Sequence, residues 1–163
     1  VAITSLSEFL LKKAASYEAE SRKNQDIIDE WLDALRHLFD DLKAWLSKSD
    51  PNQILEVREI AIEVNEPNVG RYAAPRLDVR AFGVWVGIIP KARKTVRDAR
   101  PPQAGAPARA TGRVDITNEV RRYVLYRMTV EGADSWYIEN QTSNELELLT
   151  QERFEQALMS YFQ

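Results

Sequence analysis

The chain has no cysteine, a single histidine and no long unbroken apolar run, and each gap removes a class of function. Without cysteine there is no disulfide, no thiol nucleophile and no zinc-ribbon or iron–sulfur site, which makes a cytoplasmic setting the default expectation. With His37 as the only imidazole, any Cys-His or Ser-His-Asp device would have to be built on that residue. His37 falls off the apolar row of its segment, beside Arg36, as an exposed helix residue does. The longest apolar run, residues 81–89, is broken by Gly83 and Gly87 and is far short of the roughly 20 residues that span a bilayer. Residues 1–11 contain Glu8 and lack a basic leader ahead of an apolar core, so no secretory signal is expected. Also missing are G-x-S-x-G, H-E-x-x-H and G-x-x-x-x-G-K, the short patterns that announce a nucleophile elbow, a zinc protease or a phosphate-binding loop. The expectation is a soluble, non-enzymatic chain that needs no cofactor and no metal and does not enter a membrane.

What is present is a helix with a wide apolar stripe. Ile28, Leu35 and Leu42 form one row at seven-residue spacing, Trp31, Leu38 and Trp45 the next, and Leu32, Phe39 and Leu46 lie beside them. Upstream, Ser5 with Glu8 has capping-box spacing, and Leu6, Phe9, Leu10, Ala14 and Tyr17 recur at helical intervals. Between residues 18 and 26 the stripe lapses, because Glu18, Ser21, Asn24 and Gln25 hold the in-phase positions. A Ser-Lys-Ser-Asp-Pro-Asn run at residues 47–52 reads as the stop. One rod over residues 5–48 would measure about 65 Å, against roughly 35 Å for a globule made of the remaining residues. Either the helix folds back near residues 18–26 as a hairpin or two abutting helices, or it overshoots its own domain and pairs with another copy.

After residue 53 the period changes. Leu55 and Val57 stand in one phase and Ile60, Ile62 and Val64 in the other, so a bulge is expected near Arg58 and Glu59. Residues 66–70 read as a turn and residues 77–89 as one central strand, apolar on both faces. Residues 120–131 alternate, 131–134 close a hairpin into a strand at 135–139, and a short strand is expected at 146–149. Thr150 caps a last helix whose apolar face is Phe154, Ala157, Leu158, Tyr161 and Phe162. The reading is α+β: a long N-terminal amphipathic helix or helical hairpin, a mainly antiparallel sheet of four to five strands, and a short C-terminal helix. Residues 1–50 form the N-terminal helical region and 51–163 a β-rich domain. Residues 91–113, with prolines at 101, 102 and 107, read as a flexible basic loop inside it.

Charge is segregated. Residues 1–66 hold 8 basic and 14 acidic side chains, residues 67–130 hold 13 and 4, and residues 131–163 hold 1 and 7. Such a division speaks to partners and orientation rather than to fold. The function expected is protein binding or assembly, including self-association into a homo-oligomer. Its surface would be the stripe residues Ile28, Trp31, Leu32, Leu35, Leu38, Phe39, Leu42 and Trp45. The same stripe is also what an ordinary helix packing on its own sheet requires. The alternative is nucleic-acid binding through Lys91, Arg93, Lys94, Arg97 and Arg100 in the basic loop, joined by a strand face carrying Tyr123 and Arg127. Against it, no aromatic interrupts the basic loop to stack on a base. A third class, an enzyme built on carboxylates and arginines, would need a concave polar site near the sheet. The acidic row Asp26, Asp33 and Asp40 reads more simply as a solvated helix face.

Overall fold

The computed structural model describes residues 4–95, 98–99, 108–130 and 132–163, with the side chains of residues 98, 99, 108, 109 and 130 left aside. Its first element is one uninterrupted helix, α1 (Ser5–Ser49), 45 residues long and about 68 Å from end to end. The hairpin alternative is thereby excluded. The cap lies one residue earlier than the Ser5–Glu8 spacing suggests: the Thr4 side chain accepts from the Ser7 amide at 3.1 Å. At the far end the Asp50 amide closes on the Leu46 carbonyl at 2.9 Å, and the Asp50 carboxylate takes the amides of Ile54 and Leu55, both at 2.8 Å. That Asp-Pro corner therefore turns the chain directly into the sheet.

The strands are β1 (Glu56–Glu66), β2 (Gly70–Ala81), β3 (Val84–Ala92), β4 (Asp98–Ala99), β5 (Ala108–Thr117), β6 (Arg122–Val130), β7 (Ala133–Glu139) and β8 (Leu146–Leu148), followed by α2 (Gln151–Phe162). Seven of them form one antiparallel path, β1-β2-β3-β5-β6-β7-β8, and the two-residue β4 pairs with β5. Four to five strands were expected, and the excess has two causes. Residues 77–89 are not one strand: they turn at Phe82 and Gly83, whose φ values of 53° and 75° give the left-handed pair that a two-residue hairpin needs. The second cause lies in the basic loop, which is shorter than 91–113. Lys91 and Ala92 complete β3, and residues 108–113 begin β5. The expected bulge at Arg58 and Glu59 is absent as well, since β1 and β2 pair without a register shift from Glu56↔Arg80 to Glu66↔Gly70. The phase change instead accompanies departure from β3, which β2 pairs only over Leu77 to Ala81. Real shifts occur elsewhere, between Pro90 and Ala92 and between Ala110 and Gly112.

One face of this sheet is covered by the C-terminal part of α1 and by α2. Leu77, Val79, Val86, Ile88, Val114, Ile116, Leu125 and Ile138 meet Trp31, Leu35, Phe39 and Leu42 from α1 and Phe154, Leu158 and Tyr161 from α2. Helix and sheet share this core, so no core boundary falls at residue 50. Strand alternation sends Val124, Tyr126, Met128 and Tyr137 to the opposite face, where they form a smaller cluster with Ala110 and Leu146. The α2 cap is as the sequence suggests, the Thr150 side chain accepting from the Arg153 amide at 3.2 Å.

Candidate interaction surface

Cover on α1 stops at Ile28. From there to Leu46 the stripe is sealed: Ile28, Trp31, Leu35, Leu38, Phe39 and Leu42 are buried, and Leu32 and Trp45 are half-buried against the same core. Reaching these residues from outside would require opening the core, so the stripe is the helix's seat on its own sheet. Residues 5–27 are different. All are exposed except Asn24 and Ile27, which are half-buried. This overhang runs about 34 Å past the covered segment. It is not polar all round: Leu6 is 65% exposed, Phe9 60%, Leu10 54%, Leu11 69% and Tyr17 70%.

Three of these side chains, Leu6, Leu10 and Tyr17, lie in phase with the stripe, whereas Phe9 and Leu11 stand about 100° to either side of it. At about 100° per residue, Leu6, Leu10, Ala14 and Tyr17 point within about 40° of Ile28, so the apolar face resumes in phase beyond the polar gap at residues 18–26 and past the edge of the sheet. Leu6, Leu10 and Tyr17, at these exposures, leave on the order of 350 Å² of apolar surface uncovered on this face. That is near the largest patch ordinary monomers carry, and such patches are often functional.

The root of the overhang is clamped. Trp31 is fully buried, its ring 6.0 Å from that of Trp136, with the Arg127 guanidinium 5.3 Å above it. Its indole Nε1 donates to Tyr72 Oη at 3.2 Å, and Tyr72 Oη donates to Glu66 Oε2 at 2.9 Å. The Glu66 carboxylate, itself buried, also takes the amides of Arg93 at 3.0 Å and Lys94 at 2.6 Å. Burial and the adjacent Glu66 carboxylate both push the Tyr72 hydroxyl above its ordinary pKa, so it stays a neutral donor. Beside this chain, Arg127 is only 1% exposed and grips both Glu30 oxygens, at 2.7 and 3.0 Å, while its Nε and Nη2 donate to the Thr111 carbonyl. Burial raises the Glu30 pKa, but the Arg127 and Arg93 guanidinium groups outweigh it and hold the carboxyl below its ordinary value. Two polar networks and one tryptophan thus fix the direction in which the overhang leaves the domain.

Of the residues of the nucleic-acid reading that are described, Arg93 and Arg127 meet, but at the Glu30 carboxylate rather than on an open strand face. Tyr123 and Arg127 point to the helix side of the sheet, Tyr123 half-buried and donating to Ser160 Oγ at 3.1 Å, Arg127 locked as above. No open strand face carries them. Lys91 and Lys94 are exposed, Arg93 is half-buried and directed at Glu30, and Arg97 and Arg100 lie outside the described residues. On the acidic row, Asp33 bonds Arg36 and Asp40 approaches Lys43 at 3.7 Å. Among the described residues no group of three or more His, Asp or Glu side chains is placed to hold a metal ion. A second apolar surface lies at the other end of the molecule, a groove of about 360 Å³ between the end of α1, the Phe82 turn and α2, lined by Leu55, Leu158, Met159 and Phe162 among others.

No family model matches the chain, and no curated protein or solved structure does so either. The signal for the overhang was in the sequence: Leu6, Leu10 and Tyr17 are in phase with the later stripe. What the sequence did not carry was the width of the sheet, which decides where cover ends.

Proposed function

We propose that the chain is a non-enzymatic protein-binding and assembly module whose recognition element is the uncovered apolar face of α1, centred on Leu6, Leu10 and Tyr17. The observation that carries this is phase: Leu6, Leu10, Ala14 and Tyr17 are bare on the same side of α1 that the sheet covers from Ile28 onward, with a polar gap over residues 18–26 between the two stretches. Covering about 350 Å² contributes on the order of 9 kcal/mol before association costs of about 4–15 kcal/mol. A partner must therefore engage most of the face to bind at all, which selects an elongated apolar surface such as another helix. A lipid surface fits less well. Surface-seeking helices carry a basic polar face, whereas Lys12, Lys13, Arg22 and Lys23 here alternate with Glu8, Glu18 and Glu20. Among the described residues no helix is long and apolar enough to cross a membrane. The lack of cysteine is the ground for placing the module in the cytoplasm.

The test is a photo-crosslinking amino acid placed one position at a time along the overhang in cells producing the protein. Positions 10 and 17 should give protein adducts and position 12, on the outer side, should not. Equal yields from all three positions, or none from any, would refute the reading.

A further inference from the structure

We propose that the partner of this face is a second copy of the chain, the two overhangs pairing antiparallel about a two-fold axis that passes between Ala15 and Ser16. The inference rests on the reading of the overhang as a protein-binding surface, and it adds the partner, the direction and the register. Direction follows from the fold. The sheet takes over the apolar face of α1 at Ile28, so two parallel helices facing each other with that side would drive both sheets into the same space at the root. An antiparallel partner avoids this. Its helix covers the face up to the residue where the sheet begins, and the two domains stand at opposite ends. A symmetric, self-complementary patch is also the commonest route to a dimer.

The register matches side-chain size and charge. With the axis between Ala15 and Ser16, Tyr17 of one copy lies over Ala14 of the other and Leu10 over Ser21, so large side chains meet small ones along the seam. On one flank Leu6 meets Ile27, the half-buried last residue before full cover, and Lys13 meets Glu20. Two such faces bury on the order of 700 Å² of apolar surface, so the polar flanks supply the rest of an interface of about 1,200 Å².

The absence of native cysteine makes a direct test possible. The full chain carrying Leu10→Cys and Ser21→Cys together should oxidise to a covalent dimer. Each single variant should stay uncoupled, because its own copy lies about 16 Å away along the pair. Lys13→Glu should weaken the dimer at least tenfold by sedimentation, and adding Glu20→Lys should restore it to within about threefold. Efficient coupling of either single variant would indicate a parallel pair and overturn the proposal, as would rescue by Glu18→Lys in place of Glu20→Lys. A wild-type chain that remains monomeric at high concentration overturns it too. If crosslinks at positions 10 and 17 then still capture a different protein, the binding face survives and only self-pairing is lost. If the monomer instead pellets with vesicles of anionic lipid and gives no protein adduct, both readings fall.

Discussion

Replacing Gly112 by alanine tests the clamp at the root of the overhang, because simple backbone reasoning and the packing around Trp31 predict opposite signs. A strand glycine costs about 0.5–1 kcal/mol relative to alanine, so on propensity alone Gly112→Ala would stabilise the protein. In this fold a β-carbon at position 112 would lie 2.2 Å from Cζ3 and 2.6 Å from Cη2 of Trp31. The ring has nowhere to go, held between Trp136 and Arg127 and tied through Nε1 to Tyr72. Overpacking of a filled core costs about 1–3 kcal/mol, and a pinned ring places this case at the upper end, about 3 kcal/mol. For a chain of this size that lowers the melting temperature by about 6–12 °C. Urea unfolding should show a lower midpoint at unchanged slope. In a Trp31→Leu background the same substitution should cost less by about 0.5–3 kcal/mol, since the clashing ring is gone. A Gly112→Ala protein as stable as the parent, or an equal penalty in both backgrounds, would refute the proposed packing.

Trp31→Ala should cost about 3–5 kcal/mol by urea unfolding, whereas Leu10→Asp, at an exposed position, should leave the unfolding midpoint unchanged and abolish association measured by light scattering. Glu30 is held below its ordinary pKa of 4.5 in the folded protein, so the stability it contributes is present above 4.5 and is lost as pH falls through the lower folded value. Acid titration of unfolding should therefore be shallower in Glu30→Gln than in the parent, and an identical slope would count against the Arg127 pair. Tyr161, whose hydroxyl donates to the Ile116 carbonyl at 2.7 Å, is pushed up to about 12 from 10.0, chiefly by burial. Its contribution is intact below about pH 10 and lost as pH rises toward 12, so Tyr161→Phe should flatten the alkaline fall in stability, read by circular dichroism.

Helical period, caps and the α2 apolar face were legible because they depend on neighbours three and four residues away. The seat of α1 was half legible: the stripe names Trp31 and Leu35 as needing cover, but nothing local says whether that cover is the same chain. Strand β5 was hidden for a physical reason. Trp31 occupies the space above residue 112, so the position must be glycine, and the Ala-rich stretch before it loses the bulky alternation that marks a strand. The β2–β3 turn was hidden by a phenylalanine in a left-handed conformation, where glycine or asparagine would have announced it. The Glu30–Arg127 pair spans 97 positions and left no local trace.

The central claim is that one apolar helix face is divided at Ile28 between the chain's own sheet and an outside partner. Amide hydrogen exchange resolved along α1, compared between dilute and concentrated protein, tests it most directly. Residues 28–46 should be protected equally at both concentrations, while residues 6–24 exchange rapidly when dilute and slow as concentration rises. Protection of residues 28–46 that disappears on dilution would contradict the account, because the sealed stripe would then itself be the contact between molecules.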